Sequence, residues 1–492
     1  MSTQLRVLIA PAVNKGHEEV VLGTFERSVE GLSRLSAQAH TNVLHLTRGR
    51  SWTGLRGQVG RVSDPSSPRR SVVVYGLGSR EEFDCRRLSN WLRQVFRNEM
   101  QGIFRRVAVI LPSHESLDGS KCALRTLTEL SLANYLYEDY KSKGSEKRSI
   151  AMTLIPPEDS LSSFRKAGKL VPALVEGIRW SRDLANTPPN IATPEWLAEQ
   201  ARRMAKARQM KIRILGPAQL ERMKMGGMLA VGRGSSNPPR LVRLEWGRGE
   251  QVIAFVGKGV TFDTGGISIK PSRSMDEMKY DKCGACAVLG VAKATSAMNL
   301  PFRFRAYLPL AENMPDGSAY RPGDIIRSYN GKTIEITNTD AEGRIILADA
   351  LAWAAREQPD QLLELSTLTG ATVVALGHHA AALYTPSQEL AEELLVAAQE
   401  SGEKLWRMPL WEEFGNDMKG VHADLRNAGG RWGGANGAAA FLSNFVGDVG
   451  RWAHLDVAGT AYRSHDTKDD PGATGFGVAL IIHWLLRQAG KT

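Results

Sequence analysis

Short runs rich in Val, Ile and Leu alternate with amphipathic stretches along almost the whole chain. That alternation narrows the possible folds more than any other feature. In the first part, "LRVLIAPA", "NVLHLT", "SVVVYGLG", "RVAVILP" and "SIAMTLIP" read as strands. Between them, "EEVVLGTFERSVEGLSRL" and "DCRRLSNWLRQVFRNEM" carry the i, i+3/i+4 apolar spacing of helices. Alternation of this kind predicts a three-layer α/β domain. A long helix follows, starting near Ser160 and stopped by Asn186-Thr-Pro-Pro. Beyond it the pattern resumes: "KIRILG", "RLVRLEW", "QVIAFVGKGV", "FRFRAYLPLAE" and "QLLELSTLTG" as strands, "CGACAVLGVAKATSAM" and "GRIILADALAWAAREQ" as helices. The expected organisation is an α/β domain over 1–158, a linking helix over 159–186 and a larger α/β domain over 187–492.

A chain of 492 residues exceeds one typical core, which supports two domains. Its 42% hydrophobic and 23% charged residues are those of a globular protein. The longest apolar run, Val478–Leu486, is far short of the ~20 residues that cross a bilayer. The first residues lack the basic and apolar regions of a signal peptide. The expectation is a cytoplasmic protein with no membrane contact. Four cysteines cannot form a disulfide framework, and Cys283-Gly-Ala-Cys286 lies in a helical, small-residue run where both are expected buried. Residues 1–150 hold 23 Lys/Arg against 15 Asp/Glu, a net +8, out of +11 for the whole chain. Such an excess can attract a polyanion or only aid solubility.

The densest unusual chemistry lies in "KGVTFDTGGISIKPSRSMDEMKYD", from Lys258 to Asp281. Asp263 follows an apolar strand and precedes Gly265-Gly266, the setting of a ligand loop at the carboxyl end of a strand. Some 60 residues on, "NTDAEGR" follows the strand "KTIEITN" and precedes a helix. Asp263, Asp281, Asp340 and Glu342 meeting in one cleft would repel one another unless cations lay between them. Two divalent ions would balance the four charges, and an oxygen-rich site suits them. Lys258 and Lys270 flank the same acids and could serve as electrophile, proton carrier or nitrogen ligand. Read alone, however, Asp-Ala-Glu before a helix is an ordinary helix-cap pattern, and lysines beside acids are commonly solvated pairs.

These stretches together resemble the leucyl (cytosol) aminopeptidase family. The resemblance rests on "VGKGVTFDTGGISIKPSRSMDEMKYDKCGACAV", "ENMPDGSAYRPGDI", "NTDAEGR" and "STLTGATVVALG", in that order, with "RDLANTPPN" and "WAHLDVAGTA" in support. It implies a catalytic domain on a central mixed β-sheet and two divalent metal ions, Mn²⁺ or Zn²⁺, per subunit. The tighter site would use Lys258, Asp263, Asp281 and Glu342. The looser one would use Asp263, Asp340 and Glu342. Lys270 would stabilise the developing oxyanion, and Arg344 would hold a bicarbonate ion acting as general base towards the attacking water. Peptides with a free amine would be the substrates. Their first side chain would pack near Met278, Thr367, Leu368, Gly370 and Ala458, favouring leucine and other apolar residues. The family likeness further implies a homohexamer, and bacterial relatives that bind DNA make DNA a candidate partner of the basic front domain.

Two rival readings stay open at this stage: a nucleic-acid-binding regulator, and a two-metal phosphoesterase sharing the carboxylate site. His378-His379 are not needed by an oxygen-plus-lysine site, and "YRPGDIIR" is expected as a turn into a strand. Trp406, Trp411, Trp432 and Trp452 are expected in the core or in subunit contacts rather than in a binding platform.

Overall fold

The computed structural model describes residues 4–491 apart from 15, 27, 30, 50, 68–69, 101–105, 118–119, 145–148 and 465–470. The polar turn expected at 141–148 lies partly outside the described residues. The chain divides into two compact units, one ending at Val175 and the other spanning Glu176–Lys491. The division falls inside the helix Glu158–Asn186, which contains Pro172.

The first unit is built on a seven-stranded sheet. Its strands are β1 (Gln4–Ile9), β2 (Glu19–Phe25), β3 (Ser28–Val29), β4 (Val59–Ser63), β5 (Ser71–Gly78), β6 (Arg106–Ile110) and β7 (Ser149–Ile155), in the order β1-β7-β6-β2-β5-β4 with β3 paired to β2. From β1 to β5 the pairing is parallel, whereas β4 runs antiparallel to β5. Val20, Leu22, Val72 and Val74 pack with Ala39 and Val43 of the helix Ala37–Arg48. Tyr75, on the opposite face of β5, meets Trp91 of the helix Cys85–Val95. Helices thus cover both faces, giving three layers.

Two elements differ from the sequence expectation. Residues 19–25, expected in a helix, form β2, and all seven are buried in the middle of the sheet. A strand covered on both faces is a continuous apolar run, which periodicity cannot separate from a helix. Conversely, "NVLHLT" belongs to the helix Ala37–Arg48. There the Ser36 hydroxyl accepts from Ala39 N at 3.1 Å, and Ala39 and Val43 bury one helical face. Cys85 and Cys122 form a single disulfide, with Cα atoms 5.7 Å apart, rather than a framework.

The second unit carries a nine-stranded mixed sheet. Its strands are β8 (Lys211–Leu215), β9 (Arg240–Gly247), β10 (Val252–Gly257), β11 (Gly259–Asp263), β12 (Arg303–Asn313), β13 (Gln361–Ser366), β14 (Ala381–Tyr384), β15 (Leu405–Arg407) and β16 (Trp452–Asp456). They lie in the order β15-β14-β16-β13-β10-β12-β9-β8, with β11 paired to β12. The four central strands β16, β13, β10 and β12 are parallel, so their carboxyl ends share one edge. The helix Cys283–Met298 is almost wholly buried against this sheet, with Cys283 and Cys286 unbonded and buried. The helix Glu342–Arg356 packs Ile345 and Ile346 into a core with Ala254 and Val256 of β10. The segment after "YRPGD" becomes the short strand Ile325–Arg327. Trp452 is buried in β16, whereas Trp406 and Trp411 are each 64% exposed and Trp432 is 83% exposed, which leaves subunit contacts as the remaining half of the expectation for those three. Among the described residues, no helix is long and apolar enough to cross a membrane.

Candidate metal centre

The unusual residues of 258–281 and 338–344 meet at the carboxyl edge of the central strands, where open α/β sheets bind ligands. Lys258 directly follows β10, Asp263 ends β11 and Thr367 follows β13. Glu342 is the first residue of its helix, preceded by Ala341, and no side chain caps that helix. Asp340 is therefore not the cap that its local pattern suggested.

One oxygen each from Asp263, Asp340 and Glu342 lies within 4.8 Å of the others. Lys258 Nζ is 2.8 Å from Asp281 Oδ1, 2.8 Å from Glu342 Oε1, and donates to the Thr367 carbonyl at 2.9 Å. Lys270 Nζ is 2.9 Å from Asp263 Oδ2 and is also paired with Asp340. Arg344 is buried and donates to the Asn427 carbonyl at 2.8 Å, while its Nε has no hydrogen-bond partner. Of the residues expected around a first side chain, Thr367, Leu368 and Gly370 lie just past β13 and Ala458 just past β16. Met278 sits in the 3₁₀ turn Met275–Tyr280 leading into Asp281, and the Asp281 carboxylate accepts from Thr367 Oγ1 at 2.6 Å. His378 is bonded through Nδ1 to the Gly459 carbonyl at 2.9 Å, next to Ala458.

Local backbone chemistry explains how the loops come so close. Gly265 has φ +87°, and a Cβ there would lie 2.9 Å from Asp340 Oδ1 and 2.5 Å from the Ser268 carbonyl. The buried Thr339 donates to the Gly265 carbonyl at 2.6 Å and accepts from Ser268 N at 2.8 Å. Asn313, at the end of β12, donates from Nδ2 to Asp263 Oδ1 at 2.8 Å and to the Thr339 carbonyl at 3.0 Å. Tyr320 also donates to that carbonyl, at 2.8 Å. Asn427 Nδ2 donates to the Asn338 carbonyl, holding the start of "NTDAEGR" from the other side. The sequence reading missed Asn313, Thr339, Tyr320 and Asn427. The one available signal was a polar residue closing an apolar strand, as Asn313 does in "AYLPLAEN".

The site is short of positive charge. Four carboxylates face two lysines. Burial pushes Asp263 up, reinforced by the Glu342 charge and opposed by Lys270. Burial likewise raises Asp281 well above the carboxylate range against the pull of Lys258, and raises Asp340 against Lys270. On Glu342 burial is outweighed by Lys258 and Lys270, which hold it below its ordinary value. Burial disfavours the charge on Lys258, but the Asp281, Glu342 and Asp263 carboxylates outweigh it and raise the amine. The buried Asp281 Oδ2 has no hydrogen-bond partner. Oxygen donors with an unsatisfied lone pair and a charge deficit are what hard divalent cations take, so these residues fit such ions.

An α/β sheet with an oxygen-rich, cation-deficient centre at its carboxyl edge has the make-up of a metal-dependent enzyme. Comparison with known proteins narrows that class. The model described as "Cytosol aminopeptidase family, catalytic domain" matches residues 179–482, and that of the family's N-terminal domain matches 21–144. The chain belongs to the cytosol aminopeptidase family and is accordingly a metal-dependent aminopeptidase, a hydrolase. It is 42% identical over 433 residues to a probable cytosol aminopeptidase of Geobacter sp. (strain M21), covering 86% of each chain. To one of Syntrophotalea carbinolica (strain DSM 2380) it is 38% identical over 497 residues, covering 99% of this chain and 100% of the relative. Among solved structures, the bottromycin maturation enzyme BotP matches with a TM-score of 0.83 at 32% identity, covering 96% of this chain and 100% of BotP. BotP in complex with Mn matches at 0.82.

Proposed function

We propose that the enzyme releases leucine and other apolar residues from the amino end of peptides, using two divalent ions, Mn²⁺ or Zn²⁺. Lys258, Asp263, Asp281 and Glu342 would hold one ion, and Asp263, Asp340 and Glu342 the other. The observation that carries this reading is the convergence of Asp263, Asp340 and Glu342 oxygens within 4.8 Å, with Lys258 and Lys270 against them. Ions bound there supply Lewis acidity and a water of lowered pKa. Lys270, partly exposed between Asp263 and Asp340, donates to the carbonyl oxygen as it becomes anionic. Arg344 remains cationic at neutral pH even though burial lowers it to about 10. Its Nε is unpartnered in this structure, and Arg344 would hold a bicarbonate, which would supply the general base for the attacking water. Thr367, Leu368, Gly370, Ala458 and Met278 receive the first side chain. Such an apolar wall separates single methylenes by only ~1–3 kcal/mol, so selectivity is broad.

Turnover of Leu-p-nitroanilide should vanish after chelation and return with Mn²⁺ or Zn²⁺. N-acetyl-Leu-p-nitroanilide should not be turned over, because the reading requires a free α-amine. Hydrolysis of p-nitrophenyl phosphate in place of the anilide would replace the peptidase reading with a phosphoesterase. A homohexamer and a cytoplasmic location belong to the same proposal and rest on family likeness; light scattering tests the first. The net +8 of residues 1–150 supports a second role in contacting DNA. Phosphate contacts would lose affinity steeply with salt, and a gel shift showing no binding at low salt ends that reading.

A further inference from the structure

Asp456 closes β16 fully buried, with β13 lying between its strand and β10, which Lys258 follows. Its carboxylate takes four hydrogen bonds. Oδ1 accepts from Leu368 N and from Ala458 N, each at 3.1 Å. Oδ2 accepts from Thr369 Oγ1 at 2.7 Å and from Thr372 Oγ1 at 2.6 Å. These donors come from two separate segments, the one that leaves β13 and turns into the helix Gly370–Leu376, and the one that leaves β16. The ladder between the strands runs to Ser366 opposite Asp456. From there the side chain continues the cross-link, onto Leu368 on one side and Ala458 on the other.

Both segments supply the proposed first-side-chain pocket. Thr369 caps the helix that begins at Gly370 by accepting from Thr372 N at 3.1 Å, and it donates to Asp456 in the same geometry. The carboxylate thereby fixes Leu368, Gly370 and Ala458 relative to one another. Thr367 is anchored separately, through its carbonyl to Lys258 and its hydroxyl to Asp281. Metal-centre and pocket anchors therefore attach at adjacent residues of one loop but are distinct. A buried carboxylate is costly unless its oxygens are well served. Only an acceptor-only group can take two amides and two hydroxyls at once.

We propose that Asp456 is a positioning residue that sets the width of the first-side-chain pocket, and with it the preference for branched over small residues. The inference rests on the peptidase reading above. It is tested by kcat/KM on Ala-, Val-, Leu- and Phe-p-nitroanilide for the wild type, Asp456→Ala, Asp456→Asn and Thr372→Val, each loaded with Mn²⁺. Metal content per chain and calorimetric binding of L-leucine and L-alanine are measured alongside. In Asp456→Ala the Leu/Ala ratio should fall roughly tenfold or more. Metal content should stay close to wild type, and L-leucine should lose more affinity than L-alanine. Asp456→Asn keeps an oxygen for the two amides while its NH₂ can donate to the threonine hydroxyls, so it should restore most of the ratio. If Asp456→Ala keeps its metal and its Leu/Ala ratio, the proposal is overturned. Should that variant fail to fold or to load metal, Thr372→Val decides: it keeps the carboxylate, and a ratio unchanged from wild type overturns the proposal. A metal-loaded wild type inactive on every anilide would overturn the peptidase reading itself, which separates the two failures.

Discussion

Lys258 lies directly on Gly343: a Cβ at 343 would come within 2.4 Å of the lysine Cε and 2.6 Å of its Nζ. The glycine of "NTDAEGR" is thus the gap through which an amine from another loop reaches Asp281 and Glu342. Gly343→Ala should push Lys258 out of line while leaving the helix intact, since alanine is the better helix former. A misplacement of about 1 Å at a reacting centre costs on the order of 10²-fold. The expected outcome is a loss of that order in kcat with unchanged circular dichroism, and full activity would disprove the close approach.

Glu342 and Arg344 sit two residues apart, one against Lys258 and the other against the Asn427 carbonyl. Their loss should therefore have different signatures. Glu342→Ala, which removes a carboxylate assigned to both proposed ion sites, should lose bound metal and activity together. Arg344→Ala should keep its metal and lose rate, by the ~10²–10⁴-fold typical of proton transfer. Metal analysis beside kcat separates the two, and a fully active Arg344→Ala would remove the bicarbonate role.

Thr339 joins the loop of Asp263 to that of Asp340 by giving one hydrogen bond and taking another. Valine has nearly the same shape but leaves the Gly265 carbonyl and the Ser268 amide unpaired. Each unsatisfied buried group costs ~1–3 kcal/mol. Thr339→Val should lower the urea midpoint accordingly and weaken metal affinity, as read by chelator competition. Stability and affinity both equal to wild type would show that the remaining bonds, among them those of Asn313, Tyr320 and Asn427, suffice to hold the loops.

Much of this arrangement was legible before the fold was known, and the exceptions have physical causes. Acids and lysines beside strand ends announce themselves by charge, so the side chains of 258–281 and 340–344 could be named from the sequence. Asn313, Thr339 and Asp456 could not, because a neutral amide, a hydroxyl or a single buried acid gains meaning from partners that only the fold brings near. Thr339 meets Ser268 across 71 positions, and Asp456 meets Leu368 across 88. The misread segments, 19–25 and "NVLHLT", are both in the first unit. Deep burial erased the period of the strand, and a short apolar run in the helix imitated one.

Asp349 lies two turns beyond Glu342 on the same helix and is fully buried. Its Oδ2 accepts from Met228 N at 2.9 Å and its Oδ1 from Tyr329 N at 2.7 Å. Burial raises it from the ordinary carboxylate value to about 7, against the lowering effect of backbone donors at Met228, Tyr329 and Gly227. The folded protein therefore holds this proton more tightly than the unfolded chain does. That contribution to stability is fully present below the unfolded value near 4 and is lost as pH rises through about 7. Asp349→Asn cannot titrate, so it lacks this pH dependence even if it is less stable throughout. Urea midpoints measured from pH 5 to 9 should therefore fall more for the wild type than for Asp349→Asn, with the difference flattening above about pH 8. Parallel curves would mean that the backbone donors hold Asp349 ionised across the range, so that its charge is a permanent part of the scaffold behind Glu342.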